Sequence, residues 1–280
     1  MKTFLYLLSI VFFTTGLKAQ TLDSAYFQCM YKLTYAKDSL DIDRKQTDEM
    51  MLLIGNKYTS FCSYINYVAD SLQKADPAEY SPQVANIGGS MRVLGAKTKL
   101  KRTDNVEIYI IERTSEVLLC LGKAGVKDFY EYTEKLTLPK WEMLPEKKVI
   151  LDYNCQKATA SYGGRKWTVW FTTDILIGEG PWVLRGLPGM ILKAEDAERH
   201  YVFECTNLGR LKSKRPIKKD TENRYRHVSK QDFFKERRLT FENPIAAFSR
   251  AGVDLSSAMI NGSIAKPDPK KYNPIELINE

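Results

Sequence analysis

The chain has 280 residues, 44% hydrophobic and 27% charged, with 16 Gly and 11 Pro. That balance excludes collagen-like repeats, wholesale disorder and a coiled coil, and the length suits one large domain or two small ones with a core that needs no disulfide. The net charge of +8 admits an anionic partner, so the position of the positive charge matters more than its sum.

The chain opens with Lys2 and an apolar run over residues 4–13, broken only by Ser9, and reaches Ala19-Gln20. This is the pattern of a secretory signal cut near Ala19, too short to span a bilayer. No later apolar run is long enough to span either. The expectation is an exported protein of the periplasm, cell surface or medium, not membrane-spanning. Its first cysteine, Cys29, is not placed as a lipid-attachment site. The domain reading is a signal over 1–19, one β-rich domain over 20–265 and an extended tail over 266–280.

Residues 25–35 read as a strand, 37–47 as a polar loop, and 50–64 as one or two strands bent at Gly55-Asn56. If these segments pair as one antiparallel hairpin, its connection centres near residues 44–46, and Cys29 comes opposite Cys62. The five cysteines then suggest a Cys29–Cys62 disulfide, allowed in an oxidising compartment. The alternative is two buried thiols. Residues 64–75 read as a short helix and 76–95, with its Pro and Gly, as a loop.

Residues 106–113 and 116–122 read as a hairpin, and 126–137 has alternating character that Phe129 and Tyr130 break. Residues 149–162 are strand-like and end at Gly163-Gly164, a dipeptide suited to positive φ at both centres of a two-residue turn. The return over 165–173 alternates strictly, with Trp167, Val169 and Phe171 on one face and Trp170 on the other. Aromatic residues on both faces suggest a covered strand or one lining a cavity, and Trp167, Trp170 and Trp182 are candidate ligand-binding residues for an apolar ligand. Residues 187–194 and 201–208 read as another hairpin. The basic run from Arg210 to Lys219 lacks interleaved aromatics and reads as a solvated loop, which argues against nucleic acid. Ser229 with Asp232 resembles a capping box, and Asn243-Pro244 opens a second late helix that Gly252 ends.

Chemistry-bearing patterns are sparse. There is no CxxC, and the only histidines, His200 and His227, lie far in sequence from any cysteine cluster, so neither a metal nor a cofactor is expected. Cys155 with His200 is the one thinkable nucleophile–base pair, though Cys155 sits mid-strand. The carboxylates Glu195-Asp196 and Asp220/Glu222 read as solvated turn residues. Gly180-Pro181 and Pro188-Gly189 mark turns, the second suited to type II with positive φ at Gly189, and a buried structural role is expected of Gly180, Pro181, Gly186, Leu187, Pro188 and Gly189.

The run Gly186-Leu187-Pro188-Gly189-Met190-Ile191 closely resembles the signature of the GLPGLI family of exported Bacteroidetes-type envelope proteins. The likeness extends to Tyr153–Ala158, Gly164-Arg165, Trp170–Thr172, Asp174-Ile175, Gly180–Trp182 and Asn273–Leu277. Met190 stands where the family has Leu, and Leu176 where a Pro is usual. The resemblance implies export and a β-rich domain, and supplies no catalytic residue. The fold expected is mainly β: a twisted antiparallel sheet, comparable to the half-barrels of periplasmic lipoprotein and lipid carriers, with a few helices, two of them C-terminal. The function expected is that of a non-catalytic binding or accessory module for an apolar ligand, a peptide or an outer-membrane system. The alternative is an envelope hydrolase with an unrecognised active site.

Overall fold

The computed structural model describes residues 20–75, 82–87, 90–95, 102–219, 225–253, 259–260, 263–264 and 268–277. The expected signal, Asp220 and Glu222 lie outside them. The chain runs β1 (Gln20–Tyr35), β2 (Gln46–Ile54), β3 (Tyr58–Ser63), α1 (Tyr64–Ala75), β4 (Pro82–Ile87), β5 (Ser90–Gly95), β6 (Ile108–Glu112), β7 (Val117–Lys123), β8 (Phe129–Lys135) and β9 (Glu142–Ile150). It continues through β10 (Tyr153–Tyr162), β11 (Arg165–Thr172), β12 (Met190–Asp196), β13 (Tyr201–Lys219), β14 (Tyr225–His227), α2 (Lys230–Glu242), α3 (Pro244–Arg250), β15 (Met259–Ile260) and β16 (Ser263–Ile264). The protein is mainly β, with two of its three described helices C-terminal. No helix among the described residues is long and apolar enough to cross a membrane.

Twelve strands form one open sheet in the order β14-β8-β7-β6-β3-β2-β1-β13-β12-β11-β10-β9. Its pairings are antiparallel except that β14 runs parallel to β8. The order divides into two meanders, and the pairing of β1 with β13 is the seam that joins them. Period-two alternation along β1 and β2, shifted on β1 by an irregularity between Ala25 and Phe27, sorts side chains between two cores. Phe27, Cys29, Tyr31, Leu33, Leu52 and Ile54 enter the larger one, with residues of both meanders and Phe233 of α2. Ala25, Met51 and Leu53 enter a smaller one on the other face, where Tyr64 and Tyr67 of α1 pack.

Local chemistry explains most elements. Ser229 caps α2 by accepting the Asp232 N–H, and Asn243 caps α3 with Pro244 in its first turn. Gly163 and Gly164 take φ of 58° and 75° in the β10–β11 turn. Three expectations are corrected. Residues 149–162 are not one strand: Leu151 and Asp152 adopt φ of 49° and 65° and turn β9 into β10 without a glycine. The run 210–219 is not a loop but the far end of β13, whose Lys218 and Lys219 pair with Thr21 and Gln20. Within 76–95, the described residues 82–87 and 90–95 pair as a hairpin with Val84 facing Val93.

The turn between β2 and β3 is held by Asp23, which accepts N–H bonds from Lys57 at 2.6 Å, Tyr58 at 3.0 Å and Ser24 at 2.7 Å. Burial opposes ionisation there, but the three donors outweigh it and hold the carboxyl below its ordinary 3.8. A depressed folded value contributes stability at pH above the ordinary range and loses it as pH falls through the folded value. The expected result is a melting gap between wild type and Asp23→Asn that narrows as pH drops from about 5 to about 2. A gap independent of pH would contradict it.

Candidate functional site

The loop between β11 and β12 is the structural centre of the region. Its backbone doubles back on itself: Gly186 donates to the Gly178 carbonyl at 3.0 Å, Leu184 to Pro181 at 3.1 Å, and Ile191 to Glu179 at 3.0 Å. Three glycines answer to close approach. A Cβ on Gly178 would lie 2.6 Å from the Leu187 oxygen, one on Gly180 2.6 Å from the Leu184 oxygen, and one on Gly189 1.9 Å from the Thr172 oxygen. Gly186 answers to conformation, with φ of 93°. Gly189 does not take positive φ, so the type II turn expected there is replaced by a tight backbone crossing. Trp182 carries φ of 55°, a strained region for an aromatic residue. Its ring is clamped by Tyr162 and Trp167, with centroids 5.9 and 6.0 Å away. Leu176 is 84% exposed, so no packing depends on a Pro there.

This loop carries buried charge. Glu179 accepts from Arg113 Nε and Arg185 Nη2, both at 3.0 Å, while Arg185 Nη1 is buried with no partner among the described residues. Burial pushes the Glu179 carboxyl above its usual range despite the two guanidiniums. The carbonyl of Arg185 accepts from Trp141 Nε1 at 2.8 Å, and Leu138 packs over Gly186. The loop thereby fixes the segment 137–142.

That segment forms one wall of an open groove, and the β10–β11 hairpin forms the other. Two adjoining hollows of about 480 and 460 Å³ share Lys140 and Ser161. Their polar lining is Thr137, Tyr162, Glu142, Thr159, Lys166 and Thr168. The groove exists because β9 stops short. Its pairing with β10 ends at Glu142 opposite Thr159, which leaves the edge of β10 from Ala160 to Tyr162 facing the hollow. Leu277 donates to the Gly163 carbonyl at 2.8 Å and fixes the hairpin tip from behind.

A second buried constellation centres on Arg165. Its guanidinium donates to Asp196 Oδ2 at 2.9 Å, Asn273 Oδ1 at 2.6 Å, and the carbonyls of Pro274 and Ile275 at 2.6 and 2.9 Å. Asp196 Oδ1 accepts the Tyr201 N–H at 2.7 Å. Asp196 is therefore only 2% exposed, not the solvated turn residue expected. Asp196, Glu198 and His200 bring donor atoms within 4.8 Å of one another. Arg165 already supplies the cation there, and both Asp196 oxygens are committed.

The structure separates the residues singled out from sequence. Trp167 and Trp182, 1% and 3% exposed, pack against each other and belong to the larger core. Trp170 lies on the opposite face beneath Lys148, whose Nζ is 4.1 Å from the ring. The odd spacing of 167 and 170 on one strand dictates this, and of the three tryptophans Trp167 also borders the second hollow of the groove. Cys29 and Cys62 do not meet. The chain turns after β2, so Cys29 faces Leu52, and Cys62 on β3 faces Met51 in the other core. Cys155 points to the Tyr153 carbonyl at 3.5 Å, with its thiol pushed up to about 11 by burial. His200 lies beside Glu198 and Arg165. Cys155 and Arg165 stand at opposite ends of the hairpin, roughly 20 Å apart along the strand. Sequence reasoning missed the groove, whose only linear trace is Thr159 and Ser161 two residues apart.

These features define an open β-sheet protein in which a glycine-rich loop supports a polar surface groove. Residues 65–232, more than half of the chain, match the family described as N-glycanase peptide, N-terminal domain, and the chain belongs to that family. Solved structures of PNGF-II in the P21 and C2 space groups are 16% and 15% identical to it, with TM-scores of 0.48 and 0.47. Each match covers 76% of this chain, which spans about a third of the length of those structures. No curated protein matches.

Proposed function

We propose that the chain is an exported, non-catalytic binding module of the cell envelope, whose groove takes an extended polar chain of the glycopeptide class. The observation that carries this reading is the groove itself. Its hydroxyls from Thr137, Thr159, Ser161, Tyr162 and Thr168 suit a ligand rich in hydroxyl and amide groups, and Lys140, Lys166 and Glu142 add polar anchors. On its β9 side, β10 from Ala160 to Tyr162 pairs with no described strand and offers main-chain groups to an extended peptide. The family name, with its N-glycanase and peptide, supports the same ligand class. Export rests on the signal pattern before Gln20 and on the GLPGLI-like motif. An apolar ligand between the tryptophans is not part of this reading, because Trp167 and Trp182 are core residues.

The test is calorimetric titration with an N-glycosylated peptide, the same peptide without its glycan, and the free glycan. The glycopeptide is expected to bind, and Ser161→Trp, which fills the groove, to weaken it about tenfold or more with the melting temperature unchanged. Absence of binding by all three probes would sink the proposal. Release of the glycan, followed by mass spectrometry, would replace it with the hydrolase reading.

A further inference from the structure

Cys29 and Cys205 lie on β1 and β13, the two strands of the seam. Cys29 is opposite Leu208 and Cys205 opposite Tyr31, and an irregularity between Met30 and Tyr31 draws the two positions together. Both side chains enter the larger core, 0% and 6% exposed, with their sulfurs 3.2 Å apart. A disulfide needs about 2.0 Å, so closure asks for roughly 1.2 Å of sulfur movement, within reach of side-chain rotation. Cys62 sits in the other core; Cys120 and Cys155 share the larger one, Cys120 opposite Tyr109 and Tyr132 and Cys155 donating to the Tyr153 carbonyl at 3.5 Å, while Cys205 makes a longer contact of its own to the Asn207 carbonyl at 3.7 Å.

We propose that Cys29 and Cys205 are a disulfide-forming pair that staples β1 to β13 across the seam. The oxidant is a second disulfide, either oxidised glutathione or the disulfide form of a thiol oxidoreductase. One cysteine thiolate attacks a sulfur of the oxidant, breaks its S–S bond and releases its first thiolate. The other cysteine thiolate then attacks the protein sulfur of this mixed disulfide, forms the Cys29–Cys205 bond and expels the second oxidant thiolate. Two electrons pass to the oxidant, and the two protein protons end on its thiols. Burial drives the Cys29 thiol well up and keeps it protonated in the folded chain. The exchange therefore belongs to the stage when β1 and β13 are coming together.

The test is oxidative refolding of the full chain from denaturant in a glutathione redox couple, then alkylation in denaturant with and without reductant. Of the five cysteines, the expected result is two that take label only after reduction, and a digest that contains the Cys29–Cys205 peptide pair. Full labelling without reductant, or a bond to any other cysteine, would overturn the proposal. The bond closes a span of 176 residues. Reductant is therefore expected to lower the wild-type melting temperature by on the order of 10 °C and to leave Cys29→Ser/Cys205→Ser unmoved. Equal wild-type melting with the bond present and reduced would overturn the stapling role. Should the double variant fail to fold, the labelling of wild type still decides.

Discussion

Gly189→Ala is expected to destabilise the protein by about 3 kcal/mol, seen as a melting temperature lower by on the order of 10 °C. The added methyl would lie 1.9 Å from the Thr172 carbonyl oxygen and 3.1 Å from the Thr173 Cα. Both are backbone atoms, so no side chain can swing away. Thr172 is paired with Met190 at the start of β12, and Met190 and Ile191 donate to the loop at Ile175 and Glu179. Relief of the clash must therefore move a strand end, the loop, or both. The control is Gly209→Ala, where an added Cβ meets nothing within 4 Å. It is expected to change stability by no more than about 0.5 kcal/mol. If the two variants melt alike, the close crossing is not what position 189 requires.

Arg165→Met is expected to cost about 3–5 kcal/mol. The side chain is 3% exposed and so is its partner Asp196, which keeps only the Tyr201 N–H once the guanidinium is gone. Removing one member of such a pair strands the other as a buried charge. Arg165→Lys is expected to recover little, because one ammonium cannot reproduce a planar fork that serves Asp196, Asn273, Pro274 and Ile275 together. The loss has a local signature. Asn273 also bridges to Ala36 and Tyr201, so residues 273–277 should lose hydrogen-exchange protection before the sheet does. Thermal melting with exchange at the Leu277 amide checks both parts. A variant that melts like wild type would show the pair to be dispensable.

The features legible in the sequence are those whose causes are close together in the chain. Alternation over Trp167, Val169 and Phe171 marks a strand because the side-chain period is two, and Ser229 and Asn243 mark helix starts because caps act within three residues. Gly163-Gly164 is legible as a turn for the same reason. The turn at Leu151-Asp152 is not, since Leu151 gives no sign of the left-handed conformation that the flanking strands impose and Asp152 only a weak one. The far end of β13 is hidden because its basic side chains are mostly solvated, and only the distant Gln20–Ala25 segment gives its backbone a partner. The Cys29–Cys62 register failed on one turn: the reversal at 55–57 moved Cys62 one strand outward. Arg165 and the groove were invisible for a related reason. The partners of Arg165 lie 31 to 110 residues away, and the groove is the gap left where β9 ends before β10.

The seam between β1 and β13 also sets a timetable. β1 ends at Tyr35 and β13 begins only at Tyr201. Its partner strand therefore emerges well after β1 does, whether the chain leaves a ribosome or an export channel. During that interval β2 and β3 can pair beside β1, but the other edge of β1 stands open, with Phe27, Tyr31 and Leu33 along it. An unpaired edge of this kind is a template for any passing strand. Closing so long a span is slow, so this pairing is expected to limit the rate of acquiring the native sheet. The hazard of intermolecular association is concentrated on the same waiting edge.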